Sequence, residues 1–249
     1  MEGWLTLAVV LLGAYIIGSV PFGLVIVWIA RGKDLRQIES GRTGGTNAMR
    51  AAGFLAGLFT AIFDVLKGSA AVWLAAYVFP EQVWVRAAAG LLAILGHNYS
   101  VFLIESRARG GIRLRGGAGG APAFGATLAL FPPAALIIFP LGVLVYVGIG
   151  YASVTTMSIA FFATIIFLVR ALQGLSPWEY VAFGVGALAA VLWSLRPNIE
   201  RLRNGTERAV GLRAYLQKRK ELQSENSKKM ENGSLKANRH QQEHARKSL

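Results

Sequence analysis

Two glycine-rich polar segments interrupt an otherwise apolar chain, and their residue types are those that hold anions. The first reads Glu39-Ser40-Gly41-Arg42-Thr43-Gly44-Gly45-Thr46-Asn47-Ala48-Met49-Arg50, after which the apolar sequence resumes. A glycine turn feeding a helix start offers backbone N–H groups and hydroxyls to an anion. The helix dipole adds attraction, and Arg50 can give a phosphate two parallel bonds. A tight loop closed by an N-cap explains Gly44, Thr46 and Asn47 equally well. The second segment runs from Gly96-His97-Asn98 through Gly110-Gly111 to Gly116-Gly117-Ala118-Gly119-Gly120, with Arg113 and Arg115 between the glycine clusters. Glycine lets a backbone approach a phosphate closely and basic side chains neutralise it, although a flexible basic linker has the same composition. No Gly-Lys-Ser/Thr closes this run, so it is not a nucleotide P-loop. His97 is the one histidine in the apolar part of the chain. Its imidazole could orient a phosphate, donate to its oxygens or accept a hydroxyl proton, or serve as a hydrogen-bonded structural residue.

Other polar residues are fewer. Asp64 and Lys67 stand i,i+3 inside an apolar run, where an unpaired charge is costly, so they pair with each other or meet a substrate. Ser153, Thr155, Thr156 and Ser158 mark the end of a later run; hydroxyls bonded to their own helix are the default and ligand contact the alternative. Beyond the last apolar run come Asn198-Ile199-Glu200-Arg201-Leu202 and Gly205-Thr206-Glu207, in which Arg201 and Glu207 are candidates for an ion pair that fixes the loops. With no Cys, structural disulfides, thiolate catalysis and Cys-based metal sites are excluded. Of three His, two lie in the polar tail, so neither a metal centre nor a cofactor is expected.

The elements that must position these residues are membrane helices. The 249 residues are 54% hydrophobic, and residues 4 to 30 run without one charge, longer than the ~20 residues needed to cross ~30 Å of hydrocarbon. Glu2 at the start and Pro21 inside argue against a cleaved signal peptide. Further apolar runs cover residues 53–79, 83–104, 121–131, 133–149, 154–171 and 178–195, which makes seven candidate spans. The split at Pro132-Pro133 is the weakest, because residues 121–131 alone are short; five or six spans are the alternatives.

The chain carries 26 Lys and Arg against 13 Asp and Glu, a net +13, but the basic residues sit at the ends of apolar runs rather than on one soluble face. That distribution describes membrane topology, not a nucleic-acid partner. Residues 31–50, residues 105–115 and the C-terminal tail are the basic regions, and seven spans with the N-terminus outside place all three in the cytoplasm. Arg86 and Arg170 lie near the opposite face, consistent with snorkelling at helix ends. The expected architecture is therefore all-α and polytopic, with a transmembrane domain over 1–195, a basic juxtamembrane segment over 196–220 and a disordered tail over 221–249. Arg213 to Lys220 either rest on anionic lipid or act only as a solvated topology signal.

At these motifs the sequence resembles the bacterial acyl-phosphate:glycerol-3-phosphate acyltransferases, the PlsY family, over most of residues 15–208. The matching elements are Gly18-Ser19-Val20-Pro21, Asp34-Leu35-Arg36, the Glu39 to Asn47 loop with Arg50, Asp64-Val65-Leu66-Lys67-Gly68, Gly96-His97-Asn98, Asn198 to Leu202, and Gly205-Thr206-Glu207. The departures are specific too. Where the family has Gly-Gly-Lys-Gly, this chain has Gly116-Gly117-Ala118-Gly119, preceded by an extra segment of about Ile104 to Leu114. A usual Thr is Pro122, the loop Asn is Arg42, and an Arg before the Ser-x-x-Ser element is Gly150.

The resemblance implies that the 1-hydroxyl of glycerol 3-phosphate attacks an acyl phosphate, releasing inorganic phosphate and leaving lysophosphatidic acid in the bilayer. An acyl phosphate is already activated, so positioning and charge stabilisation suffice without a metal or covalent nucleophile. On this reading Ser40, Arg50, His97 and Asn98 are catalytic. Substrate is held by Thr46, Asn47, Lys67, Gly116, Gly117, Gly119, Ser153, Thr156 and Asn198, while Glu207 and Arg201 are structural. The partners would be the two small-molecule substrates and membrane lipid, the setting the bacterial plasma membrane, and the working unit a monomer. Arg113 or Arg115, together with Arg42, would supply the charge missing at Ala118. The alternatives are a divergent paralogue with weak activity or another substrate, a non-catalytic membrane partner, and a small-anion or lipid transporter. Against the transporter, the polar residues crowd one face rather than the midplane.

Overall fold

The protein is described here from a computed structural model, in which residues 2–106, 111–225 and 230 are placed. Arg107 and Arg109 of the basic insertion, and the tail expected to lack structure apart from residues 221–225 and 230, lie outside the described residues.

Helices dominate, as the apolar runs require. α1 (Glu2–Ser19) and α2 (Phe22–Arg31) together occupy the stretch expected to be one span, and they are separate because Pro21 has no N–H to donate into the helix ladder. Gly32 then closes α2 in the left-handed conformation at φ 63°, its N–H on the Trp28 carbonyl at 2.7 Å. A 3-10 turn at Leu35–Gln37 and the short helix α3 (Gly45–Ala52) carry the first polar loop into α4 (Phe54–Val78). α5 (Val83–Asn98) ends on the Gly-His-Asn motif. The inserted segment forms a two-stranded hairpin, β1 (Ile104–Ser106) antiparallel to β2 (Ile112–Leu114), a small departure from an all-helical chain.

α6 (Gly120–Leu130) and α7 (Ala135–Gly148) are divided at Pro132 and Pro133, where the sequence placed the break. α8 (Ala152–Leu172), α9 (Trp178–Ser194) and the short α10 (Arg196–Arg203) follow, and residues 211–225 form a further helix, α11. Three helical stretches among the described residues, Gly3–Arg31, Phe54–Val78 and Ala152–Leu172, are long and apolar enough to cross a bilayer alone. Trp178–Ser194 reaches that standard when taken with Arg196–Arg203, across a bend of 63°. The surface is correspondingly apolar, with Trp4, Trp28, Phe54, Trp73, Leu136 and Leu144 all exposed.

Helices in hydrocarbon gain little from burying one another's apolar side chains, so close approach of backbones must hold them together. α4 is the centre of that packing. Any side chain at Gly68 would run into the Pro122 carbonyl of α6, and any at Gly125 of α6 into the Val65 carbonyl of α4. Ser69 closes the same crossing by donating to the Gly125 carbonyl at 2.7 Å. α1 meets α5 in the same way, through Gly18 against Ala93 and Gly96 against Tyr15. A core of Val72, Ile94, Phe167 and Phe183 fills the space beyond, the Phe167 and Phe183 rings edge to face at 6.1 Å.

Gly125→Leu is expected to force α4 and α6 apart and to cost about 1–3 kcal/mol or more. The readout is a lower melting temperature of the detergent-solubilised protein, and an unchanged melt would remove the crossing from its central role.

Candidate active site

The polar residues collect at one end of the helix bundle, around the two glycine segments. The first loop is shaped from within. Asp34 accepts from the Arg36 N–H at 2.9 Å and pairs with its guanidinium at 2.7 Å, and that guanidinium holds the Asp34 carboxyl below the usual carboxylate range. Gly41 adopts φ 65°, and a side chain there would strike the Arg36 carbonyl and the Arg115 guanidinium. Asn47, buried in α3, donates from its amide to the carbonyls of Leu35, Ile38 and Arg42 at 3.3, 3.0 and 2.9 Å. These three bonds tie the loop into a ring.

The second loop lies on the end of α5. Gly117 N–H donates to the His97 carbonyl at 2.9 Å, and a side chain at Gly117 would collide with the His97 imidazole. One at Gly116 would meet the His97 and Asn98 carbonyls, and one at Gly119, which adopts φ 90°, would meet the Asn98 amide. The glycines are therefore needed for packing against Gly-His-Asn before any question of ligand arises. Thr43 N–H donates to Gly116 O at 3.4 Å and joins the two loops. Among the described residues, the N–H groups of Ala118 and Gly119 find no acceptor. They sit beside the first turn of α6, whose start at Gly120 rests against Thr156 of α8, so unpaired donors and a helix N-terminus lie together there.

His97 itself is buried, its Nδ1 3.5 Å from Asp64 Oδ1 and its ring covered by Gly117. Asp64 also pairs with Lys67 at 2.9 Å, and Lys67 Nζ donates to the Val20 carbonyl at 2.8 Å, beside the break at Pro21. With its side chain only 3% exposed, Lys67 lies within this network. Asn98 donates to the Ala190 carbonyl at 3.3 Å and fixes α5 to α9.

Arg42 is the residue that joins both loops to the end of the chain. Its Nη1 donates to Gly117 O at 3.1 Å and Ser194 Oγ at 2.9 Å, and its Nη2 to Ser194 O at 2.5 Å and Asn198 Oδ1 at 3.3 Å. All four acceptors are neutral, and no carboxylate pairs with it among the described residues. Burial lowers the pKa of the guanidinium, and nearby Arg201 and Arg113 lower it further, yet arginine remains a cation at neutral pH. Beside it, Glu207 collects three donors: Ser153 Oγ at 2.9 Å, Asn198 Nδ2 at 2.8 Å and Arg201 Nε at 2.9 Å. Its geometry is that of a pin joining α8, α10 and the last loop. Asn198, Arg201 and Glu207, all beyond residue 195, are built into this network.

Ser40 and Arg50 stand at the rim, both exposed. Arg50 carries no ion pair among the described residues and lies within electrostatic reach of the Tyr146 hydroxyl. Thr46, in the first turn of α3, is half-buried. Arg115 is engaged elsewhere, with Glu105 at 2.6 Å and the Arg36 carbonyl at 3.0 Å, and so staples the inserted hairpin to the first loop instead of replacing a missing lysine. Arg113, exposed on β2, contributes only its field at Arg42. Ser194 is a site residue that sequence reasoning misses; its only signal is a hydroxyl closing the last apolar run. No three His, Asp or Glu side chains among the described residues come together to hold a metal ion.

The sequence matches the family model described as glycerol-3-phosphate acyltransferase over residues 8–205. It is 43% identical over 205 residues to a glycerol-3-phosphate acyltransferase of Thermus thermophilus, covering 82% of this chain and 94% of that one. It is 41% identical over 210 residues to the protein of the same name from Rubrobacter xylanophilus, covering 84% and 98%. The fold is similar to the crystal structure of PlsY (YgiH), described as an integral membrane glycerol 3-phosphate acyltransferase, in its glycerol 3-phosphate form. The TM-score is 0.71 at 31% identity, over 85% of this chain and 98% of that one. The lysophosphatidic acid form of PlsY gives a TM-score of 0.68 at 30% identity.

Glu207→Ala leaves Ser153, Asn198 and Arg201 without their shared acceptor, at an expected cost of about 1–3 kcal/mol. A thermal melt in detergent should show the loss, and Glu207→Gln, which keeps the carbonyl oxygen, should recover part of it; equal melts for all three proteins would disprove the pin.

Proposed function

The chain belongs to the glycerol-3-phosphate acyltransferase family, and from that membership we propose that it acylates the 1-hydroxyl of glycerol 3-phosphate at the cytoplasmic face of a bacterial plasma membrane. The donor in this reading is an acyl phosphate. The topology is seven spans with the N-terminus outside, which puts the basic residues 31–50, 105–115 and the tail in the cytoplasm. A single chain is the working unit.

The observation that carries the reading is an excess of cation around the glycine loop. Arg42, Arg113 and Arg201 interact across it, Arg50 stands exposed at the rim, and Glu207, already taken by three donors, is the carboxylate among them. Such a site favours a dianion such as a phosphate monoester. The apolar helix surface beside it suits a donor that carries a long acyl chain.

In the step itself, the glycerol 1-oxygen attacks the carbonyl carbon of the acyl phosphate. The bond from that carbon to the bridging phosphate oxygen breaks, the oxygen leaves with the electron pair, and the hydroxyl proton passes to the departing phosphate or to water. Ser40 and Arg50 hold the acceptor's phosphate or hydroxyl. The unpaired N–H groups of Ala118 and Gly119, with the start of α6, stabilise charge on the donor's oxygens. His97 and Asn98 orient that donor through the loop they carry, since both lie beneath it. Arg42 stands in for the lysine absent at Ala118: it holds Gly117 O and Ser194 from below and lends a buried positive charge to the same loop.

Purified protein given acyl phosphate and glycerol 3-phosphate should release phosphate and form lysophosphatidic acid in equal amounts. Arg50→Ala should lower kcat/KM by roughly a hundredfold or more while the protein still folds. Arg42→Lys keeps the charge but loses the fork of four bonds, and is expected to reduce turnover by roughly tenfold. Absence of product from well-folded protein, or full activity in Arg50→Ala, would refute the assignment.

A further inference from the structure

The part of the chain that matches the family ends at residue 205, and α11 lies beyond it. The helix is anchored where α7 and α8 meet. Val210, buried, donates its N–H to the Gly150 carbonyl at 2.9 Å, Arg213 Nη1 donates to the Ile149 carbonyl at 3.2 Å, and the Arg213 guanidinium lies 4.5 Å over the Tyr151 ring. At the ~100° per residue of an α-helix, Leu212, Tyr215, Leu216 and Leu222 fall in one stripe. All four are exposed, between 44% and 64%. Lys218 borders the stripe on one side, Arg213 and Lys220 on the other, and Glu221 and Glu225 stand on the opposite face.

An apolar stripe edged with cations and backed by carboxylates has the charge distribution of a helix lying on an anionic bilayer surface. Its attachment to Gly150, between the ends of two apolar helices, sets it at headgroup depth. Arg219 falls within the stripe, where its long stem can snorkel to the headgroups but where a dry protein seam would bury its charge. We propose that α11 docks on the anionic headgroup layer of the inner leaflet, with Leu212, Tyr215, Leu216 and Leu222 toward the acyl chains and Lys218 and Lys220 on lipid phosphates. The choice of leaflet rests on the topology given under the proposed function; the docking itself does not depend on turnover.

Because the chain has no cysteine, single probes can be placed cleanly. The full-length protein carrying Leu216→Cys or Glu221→Cys is labelled with an environment-sensitive fluorophore and reconstituted in phosphatidylcholine vesicles, with and without phosphatidylglycerol. Nitroxide-labelled lipid is the quencher. Strong quenching at position 216 and weak quenching at 221, increased by phosphatidylglycerol, is the expected result. Lys218→Gln with Lys220→Gln, which leaves the Arg213 anchor intact, should weaken the anionic-lipid effect by roughly fivefold per charge removed. Equal quenching at the two positions, no quenching at either, or indifference to phosphatidylglycerol would overturn the proposal. Acyltransferase activity measured on the same vesicles reports separately on the proposed function.

Discussion

The site rests on one buried ion pair. Asp64 and Lys67 sit inside a membrane helix, where an uncompensated charge costs several kcal/mol, and the two answer that demand by pairing at 2.9 Å. Lys67 takes the Val20 carbonyl next to the proline break, so the interruption of the first span and the lysine in the fourth helix satisfy each other. The same Asp64 oxygen, Oδ1, also faces His97 at the end of α5. Three separate stretches of chain are thereby locked at one level of the bundle, and the glycine loop is laid directly on the histidine that results. Removing one member would strand the others in hydrocarbon.

Above that layer the chemistry is carried by backbone geometry and by arginines in unusual places. Glycines at 116, 117 and 119 are forced by contact with His97 and Asn98. The N–H groups that follow, of Ala118 and Gly119, find no acceptor among the described residues. The Arg42 head is bound to carbonyl, hydroxyl and amide oxygens, while Ala118, next to Gly117, packs against Ala160, Val191 and Leu195. A lysine at 118 would have to leave that apolar contact, so the two changes fit together as one rearrangement.

Much of this was legible in the sequence. The runs of uncharged residues marked the helices, and Pro132-Pro133 marked the division of α6 from α7, because proline's missing donor acts locally. The clustering of polar motifs near one face was also readable from their positions at the ends of those runs. What could not be read was how each polar side chain is spent. Lys67 and Asn47 have the right chemistry for a ligand, but three-dimensional neighbours far away in sequence claim their donors first. Pro21 lay in plain view, yet an unbroken apolar run concealed that it divides α1 from α2. Ser194 and Arg42 gain their meaning only from each other, across most of the chain.

That last pairing bears on how the molecule comes into being. Arg42 lies in the first polar loop to be made, and its partner Ser194 is 152 residues further on, with Glu207 later still. At ribosomal speeds of about 5–20 residues per second, the early loop waits many seconds, with its guanidinium in water, before its acceptors arrive. A chain cut short before Asn198 would hold α1 to α9 and still lack the amide acceptor of Arg42 and the Glu207 carboxylate that takes the Ser153 hydroxyl.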